Sequence, residues 1–169
     1  MELPENPQLP PIVADAFLAM LQRYGYQLDY GIDTLYTVLE KVFEDQRLRE
    51  TKFVVAFHDE EQEHQFENGL AAYLGETFVR EYGGQWLGHF SCSVGGNFYT
   101  SSTRFGEFTF LPFAYVGYRI SNGVNDTGDL RRLVQRNAKS MRDGVNYKRR
   151  EIEAIKKQGK IAFDVEPWS

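Results

Sequence analysis

A single cysteine, Cys92, stands among the 169 residues of the chain. Neither an intrachain disulfide framework nor a cysteine zinc cage can form from one thiol, and that usage fits a reducing compartment. A cytoplasmic location is therefore expected. Long hydrophobic runs are lacking as well: the longest apolar stretch without a charge, Phe108 to Tyr118, is too short to span a bilayer as a helix and reads as packed core. Residues Met1 to Pro11 hold two glutamates and four prolines but neither the basic nor the apolar region of a secretory signal, and they read as unprocessed. There is no internal repeat, low-complexity tract or linker.

Positive charge is scarce over most of the chain. Residues 1 to 127 carry eight Lys or Arg against eighteen Asp or Glu, a balance of −10, whereas residues 128 to 160 carry eleven against four, a balance of +7. An acidic body binds nucleic acid poorly and attracts a basic protein, because its field steers encounter before contacts form. Solvated helix faces account for the same charge runs without any partner.

Apolar residues are plentiful, at 42% with 15% aromatic, enough to offset the entropy of ordering one domain. The expected architecture is a single α+β domain over residues 1–169: helices packed on one antiparallel sheet, a core over about 30–135, and a helical C-terminal extension over 128–169. Pro10 and Pro11 suit a first helical turn, and Val13, Phe17, Met20, Leu21 and Tyr24 follow at helical spacing up to Gly25. Asp33 is placed to cap a second helix with the stripe Leu35, Val38, Leu39, Val42 and Phe43. Phe53 to Phe57 reads as a buried strand. Asp59 and Gln62 have capping-box spacing ahead of a third helix with Phe66, Leu70, Tyr73, Leu74 and Phe78, stopped by Gly83-Gly84. Its small flank, Gly69 and Ala72 around Glu76, suggests close approach of another backbone.

The period then becomes that of sheet. Trp86–Phe90, Asn97–Ser101 and Glu107–Phe110 read as strands of a meander, with turns at Gly95-Gly96 and at Ser101-Ser102-Thr103-Arg104. Phe113 to Ile120 fits strand by its aromatics and helix by the spacing of Phe113, Val116 and Ile120, and both remain open at this point. Asn122-Gly123 marks a turn. Leu130, Leu133, Val134 and Met141 define a basic amphipathic helix; Val145, Ile152 and Ile155 suggest another, closed by Gly159. Ile161, Phe163 and Val165 alternate with polar residues as a half-buried edge strand.

The segments Ala72-Tyr-Leu-Gly-Glu76, Gly83-Gly-Gln-Trp86 and Pro112-Phe-x-x-Val116-x-x-Arg119 with Asn122-Gly123 resemble a widespread group of uncharacterised bacterial domains. The resemblance covers about residues 60 to 135. It implies a bacterial cytosolic protein without known chemistry, and it is similar in kind to small acidic domains that serve as immunity proteins or accessories of toxin loci.

Three constellations invite chemistry. His58, Asp59, Glu60, Glu61, Glu63, His64 and Glu67 are clustered, Glu61 and His64 form Glu-x-x-His, and Glu60, His64 and Glu67 share a helix face. A divalent ion would need a second such motif on a facing helix, so acids favouring a helix macrodipole are the simpler account. His89 and Cys92 lie three apart in an extended segment and point to opposite faces, which disfavours a thiol and its base. Ser91 to Gly96 lacks the leading glycine of a nucleophile elbow and the lysine of a phosphate loop. Glu76, with Arg80 one turn on, reads as a structural ion pair or a bond to strand backbone.

Non-enzymatic protein binding is the resulting expectation, with no catalytic residue, metal or cofactor, through an acidic and aromatic surface of Glu60, Glu61, Glu63, Glu67, Glu76 and Trp86 and with a basic partner such as a cognate toxin. The chain is expected to be a monomer or homodimer away from membranes. Two alternatives stay open: a metal-dependent hydrolase using the His58–Glu67 helix, and a nucleic-acid accessory protein using the basic residues from Arg131 to Arg150.

Overall fold

A computed structural model describes residues 7–47, 60–88, 101–124 and 128–159. The expected strands at Phe53–Phe57 and Ile161–Val165, all but Ser101 of the one expected at Asn97–Ser101, the Gly95-Gly96 turn, His58, Asp59, His89 and Cys92 lie outside these residues, as do the side chains of residues 60–62.

Helix α1 (Leu9–Arg23) carries Pro10 in its first turn and buries Pro10, Ala14, Phe17 and Leu21 at spacings of four, three and four. It ends at Tyr24, ahead of Gly25 with φ +93°. The chain then enters α2 (Ile32–Thr34), passes through a π-helical turn (Leu35–Leu39) and continues as α3 (Glu40–Arg47). Leu35, Leu39, Val42 and Phe43 are fully buried along this stretch, as their spacing requires. Asp33, however, lies inside the first turn and caps nothing. Asp29 shapes the entry to the helix instead: one carboxylate oxygen accepts from the Gly31 N–H at 2.8 Å and from the Thr34 hydroxyl at 3.2 Å, an Asx-type turn that a short acid makes with backbone two residues on.

Helix α4 (Glu60–Tyr82) is the axis of the molecule. Every residue from Asn68 to Phe78 is buried, with α1 and α5 packed along it. The close approach expected at its small residues is made by rings rather than backbone. A Cβ at Gly69 would stand 2.3 Å from the Phe17 ring, and one at Gly75 would stand 2.3 Å from the Trp86 ring and 2.9 Å from Pro112.

Strands β1 (Gln85–Leu87), β2 (Ser102–Phe105) and β3 (Phe108–Phe110) form an antiparallel sheet in that order. Trp86 opposes Thr103, and Thr103 in turn opposes Phe110. The segment read as a polar turn, Ser101 to Arg104, is therefore mostly strand. Thr103 and Phe105 point inward while Ser102 and Arg104 face outward, the alternation of a half-buried strand. The turn is Gly106-Glu107 instead, where Gly106 has φ +63° and a Cβ would stand 2.6 Å from the Gly144 carbonyl oxygen.

Residues Pro112–Asn122 are helix, α5, which settles the choice between strand and helix. In α6 (Leu130–Asp143) the Asp129 side chain caps the N-terminus by accepting from the Arg132 N–H, and Gly144 closes the C-terminus at φ +65°. Leu130, Leu133, Val134 and Met141 of α6 join the core, so the part of the basic region that stands off the body is α7 (Tyr147–Lys157), capped by Asn146 and without a buried residue. The fold is α+β, and α1 and α6 both contribute to its single core cluster.

Candidate functional site

Two buried charges organise the interior. Glu76, 6% exposed, accepts from the Trp86 indole N–H at 2.9 Å and from Arg80 Nε at 2.9 Å. The Arg80 guanidinium lies 3.7 Å from the centroid of the Tyr30 ring and pairs with Asp15 at 3.5 Å. Tyr30 stacks on Tyr73 with centroids 4.8 Å apart, donates its N–H to the Tyr73 hydroxyl and its own hydroxyl to Asp15. Burial, then the bond to Asp15, raises the Tyr30 pKa above the ordinary phenol value, so the hydroxyl stays a donor. Tyr30 also has φ +64°, a left-handed conformation rare outside glycine; the stack, the bonds and the cation on its face hold it there.

Arg119, 0% exposed, is the second charge. Glu40 pairs with it through Oε1 and accepts from the Leu130 N–H at 2.9 Å through Oε2. One carboxylate at the end of the π-helical turn thus ties α3 to α5 and to the first turn of α6, where the helix dipole favours a negative charge. Glu44 lies 3.9 Å from Arg119 Nη1. Among the described residues, Arg119 Nε and Nη1 and the buried Tyr115 hydroxyl have no hydrogen-bond partner. Burial, with the Glu40 charge second, raises the Tyr115 pKa.

The surface expected to meet a partner divides accordingly. Glu76 and Trp86 face each other inside, so neither presents a surface. Glu63 and Glu67 are half-buried and His64 is exposed; the side chains of Glu60 and Glu61 lie outside the described residues. Glu67 borders a shallow groove of about 470 Å³ that is otherwise lined by α5, through Phe113, Ala114, Gly117, Tyr118, Ser121 and Asn122. Burial raises the Glu67 pKa, with His64 opposing and Glu63 adding to the shift.

The groove was not legible as a site in the sequence, because Ala114, Gly117 and Ser121 carry no chemistry. Its signal is their spacing, which opens a strip along one helix face beside an acid. Tyr118 (45% exposed) is the large hydrophobic side chain that the groove presents to solvent. The basic residues meanwhile lie on the outward faces of α6 and α7, with Arg131 over the Tyr36 ring, Lys139 over the Tyr147 ring and Arg150 paired with Glu107.

Among the described residues no three His, Cys, Asp or Glu side chains converge as a metal cluster would require, and no helix is long and apolar enough to cross a membrane. Comparison of the chain with protein-family models, with curated proteins and with solved structures finds no match.

Proposed function

We propose that the protein is a non-enzymatic protein-binding module whose outer α5 face, with the acids of α4 beside it, receives a basic amphipathic segment of a protein partner. The observation that carries this reading is the groove itself. A floor of small residues at helical spacing, an aromatic anchor at Tyr118 and an acidic border at Glu67 suit a helix laid in a groove. Binding asks only for a desolvated anchor with complementary polar groups around it, whereas catalysis asks for a positioned nucleophile, base or metal.

The immunity-like resemblance adds a basic toxin as the partner's class. The motif residues that carry it, Gly75, Glu76, Trp86, Pro112 and Arg119, serve the interior, so recognition in this reading belongs to residues outside those motifs.

The test is a titration of isotope-labelled protein with a synthetic basic amphipathic helical peptide, followed residue by residue by NMR. Shifts confined to Glu67, Ala114, Gly117 and Tyr118, weakening as salt rises through screening, are expected. Shifts absent from this face, or centred on another surface, would refute the reading.

A further inference from the structure

The chemistry asked of a partner is present in the chain itself, and the following inference rests on the groove being a binding face. Helix α7 has Ile152 and Ile155 three residues apart on one face, both half-buried, with Lys148 and Lys156 one turn to either side of Ile152. It is a basic amphipathic helix of eleven residues that buries none of them. Isolated helices of that length are marginal in water, so a covering surface would stabilise it.

Its own groove is out of reach. Helix α7 is rooted at the β2–β3 hairpin: Glu107 donates its N–H to the Gly144 carbonyl at 3.0 Å and pairs through its side chain with Arg150. That hairpin lies at the C-terminal end of α4, where Phe105 packs on Tyr82 and fills the space beside Gly84. Glu67 lies fifteen residues before Tyr82 on the same helix, about 22 Å away at 1.5 Å per residue, whereas α7 is only about 16 Å long. The molecule therefore carries an acid-bordered groove toward one end and a basic apolar helix at the other.

We propose that the groove is occupied by α7 of a second copy of this chain, with Ile152 and Ile155 over Ala114 and Gly117 and with the basic helix as a whole beside the Glu67 border. Charge complementarity selects this occupant: the region up to residue 127 has a balance of −10 and the region from 128 to 160 one of +7. The contact is heterologous, head to tail, and leaves a groove at one end and a helix at the other, so assembly continues into short chains or a ring. A single short helix in a groove falls below the standard interface size, and affinity in the range of about 1–100 μM is expected.

The experiment is sedimentation equilibrium on the full chain at low and high salt, with two variants. Gly117→Arg fills the groove at a position where an added Cβ meets nothing within 4 Å; Ile152→Glu/Ile155→Glu disables the helix. Wild type is expected to gain mass with concentration and lose it with salt. Each variant alone should be monomeric, and their equimolar mixture should stop at a dimer, because only one productive contact remains. A monomeric wild type, variants that assemble as wild type does, or a mixture that stays monomeric would each overturn the proposal. A synthetic peptide of residues 145–159 separates the two readings. If wild type is monomeric and ignores this peptide while an unrelated basic peptide still shifts Glu67 and Tyr118, the second-copy assignment fails and the binding face stands; if no basic peptide binds, both fail. Salt-dependent binding of a duplex oligonucleotide through Lys148 and Lys156 by a chain that does not self-associate would also overturn it, in favour of a nucleic-acid surface.

Discussion

Helix α4 and helix α7 are both mixtures of apolar and charged residues, and they sit at opposite extremes of burial. From Asn68 to Phe78, α4 is enclosed on every side although it holds Asn68, Glu76 and Thr77 there. Helix α7 has no fully buried residue, and its Ile152 and Ile155 are only half-buried. The difference lies in what surrounds each charge. Glu76 is tolerated because a buried indole N–H and the guanidinium of the exposed Arg80 both meet it, and buried charge persists where it is paired and hydrogen-bonded. The cations of α7 remain at or near the surface, Arg150 among them paired with Glu107. Polar residues within the core of this molecule thus report structure, and those at its edges are the ones available to a partner.

That division can be broken at its strongest point first. Glu40→Ala leaves the fully buried Arg119 without its carboxylate and the Leu130 N–H without its acceptor. Loss of one member of a buried pair costs about 3–5 kcal/mol, and chemical denaturation should show a loss of this order or a chain that fails to fold. Next in size is Gly75→Ala. Its Cβ would stand 2.3 Å from the Trp86 ring, and overpacking of this kind costs about 1–3 kcal/mol, with a change in tryptophan fluorescence as the indole is displaced.

The opposite sign is expected at the other glycine. Gly117→Ala adds a Cβ that meets nothing within 4 Å on the exposed side of α5, so helix propensity should raise stability by up to about 1 kcal/mol. Two glycines on neighbouring helices would then respond oppositely to one substitution, which sharpens the contrast between enclosed and open faces.

The smallest effect concerns pH. Burial raises the folded pKa of Glu67 above its unfolded value, with His64 opposing and Glu63 reinforcing. The folded state therefore holds that proton more tightly, and the associated stability is present below the unfolded value, near pH 4.3, and is lost as pH rises through the raised folded value. Glu67→Gln should accordingly be more stable than wild type at neutral pH, and this advantage should disappear in acid. Thermal unfolding of both proteins across that range reads the difference. A cationic partner at the groove lowers the same pKa, so its affinity should strengthen as pH rises through the interval.

Much of the frame was legible in the sequence because hydrophobic period is a local signal: Phe17 and Leu21 in α1, Leu35 to Phe43 in the second helical stretch, Leu70 to Phe78 in α4 and Leu130 to Met141 in α6 all face the core as their spacing requires. Strand β2 was hidden because Ser102 and Arg104 make half of it polar, so Ser101 to Arg104 read as a turn. The Glu40–Arg119 pair spans 79 residues, and nothing local announces such a partner. Glu76 was singled out and Arg80 named for it, but the Trp86 bond depends on how β1 folds back over Gly75. The groove eluded the sequence reading because its defining property is the smallness of Ala114 and Gly117.

The most direct test of the division between interior and binding face is a crossed comparison of two variants, Glu76→Gln and Gly117→Arg, measuring melting temperature and affinity for a basic amphipathic peptide in each. Glu76→Gln weakens a buried charge-assisted network and should lower stability by about 1–3 kcal/mol while leaving peptide affinity intact. Gly117→Arg should keep the melting temperature and lose most of the affinity. A Gly117→Arg protein that still binds the peptide as wild type does, or a folded Glu76→Gln protein that no longer binds it, would contradict the account.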